Sequence, residues 1–212
     1  MEILEINHPL VDHKLTVLRD LHTPSATFRL LVEELVTLLA YEATRDVHVK
    51  EVGITTPVTA TTGVKIAAPA PIVVPILRAG LGMLEGMTKL VPTAEVGFLG
   101  LQRDEETLEV STYANRLPDV LTDRQCFVLD PMLATGHTIV DSVHYLLSRG
   151  ARDVTVICIL ATPEGLKTVA ESLPDDAHVR IVVASIDEGL NDRGYIVPGL
   201  GDAGDRLYGV ID

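Results

Sequence analysis

Phosphate-binding chemistry is suggested by one short stretch of the sequence, residues 126–138 (CFVLDPMLATGHT). Its apolar start ends at a single carboxylate, Asp130, and the loop at residues 134–138 then leads into a helical pattern. Loop N–H groups and the unpaired donors of a helix N-terminus form a site for a phosphate dianion. A carboxylate at a strand's carboxyl end suits a sugar diol or a hydrated metal ion. A Thr-Gly turn that merely caps the helix is the alternative.

Two arginines are placed to neutralise a diphosphate. Arg78 follows the apolar run at residues 72–77 and lies beside Gly80, where backbone can approach a ligand closely. A surface arginine at a strand edge is the alternative. Arg103 lies at the start of a long polar segment, residues 102–118, which also includes Tyr113. Loops of that length are usually functional lids or disordered, so we predict a flexible lid that closes over a substrate. For residues 104–106 a solvated charged hairpin is the alternative.

A glycine-rich segment near the end of the chain, residues 194–209, contains a formal G-x-G-x-x-G (Gly199, Gly201, Gly204). A dinucleotide-binding fold needs that pattern after its first strand, with an acid about 20 residues onward. Only eight residues follow Gly204, so this interpretation fails. The exposed backbone N–H and C=O groups of such a loop suit a flat imide ring with alternating donors and acceptors.

These residues must be positioned by alternating strands and helices. Apolar runs predict strands at residues 72–77, 96–101, 126–129, 154–160 and 179–185, and helical periodicity predicts helices at 8–21, from 23 onward, 138–149 and 163–172. Residues 47–67 alternate β-branched and polar side chains and predict a β-hairpin. We therefore expect one α/β domain over residues 1–212, with a mostly parallel twisted sheet and helices on both faces.

Composition excludes several classes of protein. The formal net charge is −13 and no basic cluster occurs, which argues against a nucleic-acid partner. The start of the chain lacks the features of a secretory signal, and no run approaches the roughly 18 apolar residues that a membrane span needs. Cys126 and Cys158 lie in apolar runs and are expected to be free. A cytoplasmic protein without a membrane partner is predicted.

The chain resembles one family over essentially its whole length. The form DPMLATG, with Pro131 where most type I phosphoribosyltransferases carry a second acid, is similar to the uracil phosphoribosyltransferases. Further segments resemble the same family in order: HPLVDHKLTVLRD (8–20), LLAYEATRD (38–46), PILRAGLGM (75–83), RDEETLE (103–109), ATPEG (161–165) and ASIDEGLNDRGYIVPGLGDAGDRLYG (184–209). The resemblance implies a type I phosphoribosyltransferase-like fold with a dimer-forming β-hairpin arm and a C-terminal base-binding hood loop.

The resemblance also implies a reaction of pyrimidine salvage, in which uracil and 5-phospho-α-D-ribose 1-diphosphate (PRPP) give UMP and diphosphate. Mg²⁺ would be carried by PRPP without a direct protein ligand, and GTP is a candidate effector of a homodimer or higher homo-oligomer. Arg103, Asp130 and Asp202 would be catalytic. Asp202 is a candidate to order a metal-bound water or to assist loss of the uracil ring proton, and a carboxylate that only forms a turn is the alternative for this residue. PRPP would be held by Arg78, Arg103, Asp130, Pro131, Met132, Leu133, Ala134, Thr135, Gly136, His137, Thr138 and Asp202. Uracil would be held by Ile196, Gly201, Asp202 and Ala203.

Two rival functions stay open. A pyrimidine-responsive RNA-binding regulator on the same fold would need a basic surface, which the net charge of −13 argues against. Orotate or a purine could replace uracil. Orotate would call for a cation beside the base, and the loop at residues 194–204 offers none before Arg206.

His137 departs from the family, which usually has glycine there. Glycine would permit a positive φ that histidine tolerates only at some cost, so either the loop is less strained at this position or the strain persists because the imidazole contributes to binding. A protonated imidazole could pair with the phosphate, and an imidazole that points to solvent is the alternative.

Overall fold

The computed structural model describes residues 1–103, 110–174 and 176–209, without the side chains of Gln102, Arg103, Val110 and Ser111. A seven-stranded sheet lies at its centre. Six of its strands follow the order β1-β11-β10-β8-β4-β5, and the seventh, β9, pairs with β10. All of its pairings are parallel. Its strands are β1 (Glu2–Glu5), β4 (Ile72–Pro75), β5 (Glu95–Val96), β8 (Gln125–Leu129), β9 (Met132–Leu133), β10 (Asp153–Ala161) and β11 (His178–Ile186).

Helices cover both faces of the sheet. They are α1 (Pro9–Arg19), α2 (Ser25–Ala43), α3 (Leu84–Leu90), α4 (His137–Ser148), α5 (Pro163–Ser172), α6 (Ala203–Tyr208) and a 3-10 helix (Ala79–Met83). Alternate strand residues point to opposite faces, so each buried strand contributes to two cores. Phe127 and Leu129 of β8 pack with α1, α2, α3 and α6, whereas Cys126 and Val128 pack with α4 and α5. The predicted fold class is confirmed.

Among the residues that the structure describes, three antiparallel pairs lie outside the main sheet. The predicted hairpin is present as β2 (Val49–Thr55) and β3 (Ala60–Ile66), and short strands β12 (Gly189–Leu190) and β13 (Ile196–Val197) pair near the end of the chain. The third pair joins β6 (Phe98–Arg103) to β7 (Val110–Arg116).

The predicted strand at residues 96–101 is present in two pieces, because β5 ends at Val96 and β6 begins at Phe98. Both pieces run beside β4, since the Gly97 N–H donates to the Val73 carbonyl at 2.9 Å and Ile76 forms an isolated parallel bridge with Leu99. Much of the predicted lid, residues 102–118, is strand and not loop, because β7 occupies residues 110–116. Residues 104–109 lie outside the described part of the chain.

Parallel strands place their carboxyl ends at one edge, which we call the carboxyl edge. Asp130 follows β8, Arg78 lies shortly after β4, and Thr162 follows β10, so all three reach this edge. Across the residues that the structure describes, no helix is both long and apolar enough to cross a bilayer.

Candidate active site

Asp130 lies at the centre of the carboxyl edge, immediately after the fully buried strand β8. It is partly exposed, and the Met132 N–H reaches its Oδ1 atom at 3.5 Å. Burial raises the pKa of Asp130 to about 7, because this single long hydrogen bond offsets little of the desolvation of the carboxylate. No ion pair to Asp130 forms within the described ranges. The carboxyl group is therefore available to bind a ligand that brings hydroxyl groups or positive charge.

The loop at residues 134–138 turns sharply into α4. Gly136 has φ +84°, and a Cβ atom there would lie 2.5 Å from the Gly165 carbonyl oxygen. Val140 makes the first helical hydrogen bond of α4 to the Gly136 carbonyl at 3.0 Å, which leaves the N–H groups before it without a helical partner. Thr135 and Thr138 are exposed beside them. This arrangement can bind a phosphate dianion.

The first turn of α5 holds this loop from behind. The buried Thr162 hydroxyl donates to the Ala134 carbonyl at 2.6 Å and accepts from the Gly165 N–H at 2.9 Å. Gly165 packs so closely that a Cβ atom would lie 2.2 Å from the Ala134 carbonyl oxygen. The sequence indicated ATPEG only through its resemblance to the family, and the contacts now show that it fixes the loop.

Of the two alternatives for His137, the structure shows the less strained loop, because this residue has no positive φ. His137 is the first residue of α4, and the left-handed conformation falls on Gly136 instead. The exposed imidazole lies with Nδ1 3.1 Å from the Thr135 hydroxyl. Because helical φ suits histidine, this residue needs no compensating function. Its role as a phosphate ligand stays a prediction.

Arg78 follows β4, the strand next to β8, which carries Asp130 at its carboxyl end. β4 pairs with β8, and the Ile76 N–H donates to the Leu129 carbonyl at 2.9 Å. A Cβ atom on Gly80 would lie 2.2 Å from that same carbonyl oxygen, so glycine is required for this approach. The exposed Arg78 begins the 3-10 helix at this point. The fold therefore brings a guanidinium and a carboxyl group to adjacent strand ends.

Arg103 ends β6, and its side chain lies outside what the structure describes. Tyr113 of β7 covers Gly100 on the partner strand, and its hydroxyl donates to the Leu77 carbonyl at 3.3 Å. The β6–β7 pair is thereby attached to the segment that carries Arg78.

A cavity of about 280 Å³ adjoins the phosphate loop. All four residues predicted to hold the base line it. Its lining residues are Met132, Ala134, Arg193, Gly194, Tyr195, Ile196, Gly201, Asp202 and Ala203. A smaller cavity of about 50 Å³ over the phosphate loop shares Met132 and Ala134 with it and is also lined by Asp130. The two cavities are therefore neighbours, and Met132 and Ala134 lie between them.

The sequence model for uracil phosphoribosyltransferases matches residues 5–210 of this chain. The chain belongs to the uracil phosphoribosyltransferase family. A uracil phosphoribosyltransferase of Beutenbergia cavernae is 72% identical over 100% of both chains. A solved protein structure from Aquifex aeolicus is 42% identical, with a TM-score of 0.89 over 98% of both chains. A hypoxanthine-guanine phosphoribosyltransferase from Bacillus anthracis shares the fold at 13% identity, with a TM-score of 0.52 over 77% of this chain and 80% of that one.

Two side chains that line the larger cavity were not predicted from the sequence. They are Arg193 and Tyr195, which lie three residues and one residue before Ile196, and both are exposed. The sequence argument against orotate counted no cation within residues 194–204, yet Arg193 stands just before that segment. That argument was therefore incomplete. Proximity to Ile196 in the sequence was the signal that could have found both residues.

Asp202, which the family resemblance makes catalytic, has a structural role in this chain. It is the N-cap of α6, and its Oδ1 atom accepts from the Asp205 N–H at 2.8 Å. The same residue lines the larger cavity. Within the described ranges no group of three or more His, Cys, Asp or Glu side chains could hold a metal ion. Asp130 and Asp202 are the two carboxyl groups that line the neighbouring cavities.

Proposed function

We propose that this protein transfers the phosphoribosyl group of PRPP to uracil, giving UMP and diphosphate. The observation that carries the proposal is the contact between the two cavities, because Met132 and Ala134 line both. A ribose placed over Asp130 would have its 5-phosphate at the α4 N-terminus and its anomeric carbon toward the larger cavity. That is the arrangement a phosphoribosyl transfer requires.

Transfer builds positive charge on the ribose ring and negative charge on the leaving diphosphate. We assign Asp130, once ionised, to the ribose hydroxyls, where its charge also stabilises the cationic sugar. Arg78 and Arg103 are assigned to the diphosphate. Mg²⁺, carried in by PRPP, would supply further neutralisation of that leaving group, with Asp202 a candidate to hold one of its water molecules.

The phosphate-loop assignment extends to residues 131–138. Loop N–H groups and the Thr135 and Thr138 hydroxyls would hold the 5-phosphate, while Ile196, Gly201 and Ala203 would offer main-chain groups to the uracil ring. Uracil is neutral, so a rim of backbone donors and acceptors is sufficient to orient it.

The base assignment is tested by a panel of bases. With PRPP and Mg²⁺, we expect uracil to be converted to its nucleotide at a kcat/KM at least about 100-fold above those of orotate, cytosine and hypoxanthine. Arg193→Gln is the matched control, because it removes the cation at the cavity rim. If orotate is the best substrate and loses its advantage in Arg193→Gln, the base assignment is wrong.

The lid assignment is tested separately with Arg103→Ala. We expect the KM for PRPP to rise about tenfold or more and kcat to fall, because this guanidinium is assigned to the leaving group. The KM for uracil should stay within about twofold of the parent value. A defect confined to uracil would contradict the assignment of Arg103 to diphosphate.

Assembly and location belong to the same proposal. The β2–β3 hairpin leaves Val58 at 92% and Val64 at 65% exposure, which supports an arm that packs on a second copy of the chain in a homodimer or larger oligomer. The net charge of −13 argues against a nucleic-acid partner. A cytoplasmic location stays a prediction. A GTP effector stays a prediction from the family.

A further inference from the structure

The loop that forms the base cavity is held by charged side chains that do not line the cavity. Asp187 follows the carboxyl end of β11, and only 2% of its side chain is exposed. Arg19, the last residue of α1, pairs with it at 2.6 Å and 2.7 Å through two nitrogen atoms. Such a bidentate pair fixes the orientation of both groups. The two residues are 168 positions apart in the chain, so the pair joins distant segments.

Gly199 is the point at which this pair meets the loop. Its N–H donates to Asp187 Oδ2 at 2.9 Å, and its carbonyl accepts from Arg19 Nη1 at 2.8 Å. The N–H and C=O groups of Gly199 are therefore both hydrogen-bonded to the Arg19–Asp187 ion pair. Gly199 has φ +63°, and a Cβ atom there would lie 2.1 Å from the Ile196 carbonyl oxygen. No other residue type fits this turn without moving Ile196.

The electrostatics favour a fixed pair. Burial would raise the pKa of the Asp187 carboxyl group, but the hydrogen bonds from Arg19 and Gly199 outweigh that effect and hold the pKa below its ordinary value. The Ser185 hydroxyl also donates to Asp187 Oδ1 at 3.1 Å. The carboxylate thus stays charged and fully occupied by donors. Breaking such a buried pair leaves an uncompensated charge, which would pull Gly199 out of place.

Leu200, the next residue of the loop, is held by another arginine. Arg206 of α6 donates to the Leu200 carbonyl at 3.0 Å and to the Leu18 carbonyl at 2.7 Å, while its guanidinium lies 4.6 Å from the centre of the Phe28 ring. The main chain is consequently anchored at positions 199 and 200. Gly201, which lines the cavity, follows directly, so the direction in which its main-chain groups point depends on these anchors.

We propose that the Arg19–Asp187 pair positions the base-recognition loop, so that it sets the affinity for the pyrimidine without touching it. The proposal rests on the assignment of the larger cavity to uracil. Because the loop would recognise the ring with main-chain groups, side-chain packing cannot compensate for a shift of the backbone. Displacement of Gly199 by a fraction of an ångström would misalign several hydrogen bonds to the base together.

Steady-state kinetics of Arg19→Gln and Asp187→Asn test this. We expect the KM for uracil to rise about tenfold or more, the KM for PRPP to stay within about twofold, and kcat to fall no more than about threefold. Arg19→Lys keeps the charge but loses the two-nitrogen pairing with Asp187, so its KM for uracil should lie between those of the parent and Arg19→Gln.

Arg180→Lys is the matched control. Arg180 is buried, pairs with Asp46 at 2.7 Å and donates to the Ala43 carbonyl at 2.6 Å, as Arg19 does with Asp187 and Gly199. It lies near the start of β11, roughly 20 Å from Asp187 along the strand. Arg180→Lys should therefore lower the thermal midpoint without changing the KM for uracil.

Two outcomes would overturn the inference. One is a KM for uracil within about twofold of the parent in Arg19→Gln and Asp187→Asn, and the other is an equal rise in the KM for both substrates. If those two variants do not fold, amide exchange in Arg19→Lys decides. The Gly199 amide must then exchange faster than in the parent, and unchanged exchange there also overturns the inference. A parent enzyme that does not turn over uracil would instead refute the proposed function, while the exchange measurement would still report on the pair.

Discussion

Asp130→Asn should reduce kcat at least about 100-fold, equivalent to about 2.7 kcal/mol of transition-state stabilisation. The amide can still hydrogen-bond to a ribose hydroxyl, but it carries no charge to stabilise a cationic sugar. The carboxyl end of β8 is where the fold places this group, with only the Met132 N–H as donor in the described structure. A kcat within threefold of the parent would show that Asp130 is not catalytic.

The same substitution should make the unliganded protein more stable at pH 8. Folding raises the pKa of Asp130 from 3.8 to about 7, so the folded protein binds this proton more tightly than the unfolded chain does. The group's contribution to stability is therefore full below pH 4 and is lost as the pH rises toward 7. Asparagine does not ionise, so its burial carries no cost of desolvating a charge at pH 8. We expect the substitution to raise the free energy of unfolding at pH 8 by about 1–3 kcal/mol.

Denaturant unfolding at pH 5 and pH 8 measures this difference, and each variant is its own control across pH. The stability gain of Asp130→Asn should be larger at pH 8 than at pH 5. In the parent enzyme, kcat/KM for PRPP should fall as the pH drops below about 7, because the protonated carboxyl group cannot act. A stability gain that is the same at both pH values would contradict the burial-based account of the Asp130 pKa.

The second large effect is expected for Gly136→Ala. Alanine would have to adopt φ +84° and place its Cβ atom 2.5 Å from the Gly165 carbonyl oxygen, so either the phosphate loop or the start of α5 must move. We expect a loss of unfolding free energy on the order of 2 kcal/mol or more. The KM for PRPP should rise about tenfold or more, because the N–H groups before Val140 would no longer converge.

Gly150→Ala is the control for this prediction. Gly150 has φ +90° at the other end of α4, and a Cβ atom there would lie 2.8 Å from the Thr122 hydroxyl oxygen. Its substitution should lower stability in the same way and leave the KM for PRPP unchanged. If both variants raise that KM equally, the effect comes from general loss of stability and not from the shape of the phosphate loop.

Hydrophobic periodicity was sufficient for most of the secondary structure. The strands β8, β10 and β11 follow the predicted positions closely, because short continuous apolar runs between turn signals favour burial on both faces of a sheet. The helix α5 follows its predicted position because its apolar residues recur at helical spacing. The division of the predicted strand into β5 and β6 was not visible in this pattern. It follows from their different partners, since β5 pairs with β4 and β6 pairs with β7, and local periodicity cannot show which distant segment a strand will join.

The sequence by itself determined the family and the alternation of strands and helices, and its residue types and their order predicted the parts of the site: a carboxylate after a strand, a phosphate-binding loop and a glycine-rich base loop. Only the tertiary structure decided how these parts are held. It placed the left-handed turn at Gly136 and not at His137, put Arg193 at the cavity, and joined Arg19 to Asp187. Each of these depends on which atoms of distant segments approach within a few ångströms, and that information exists only after the sheet has brought the segments together.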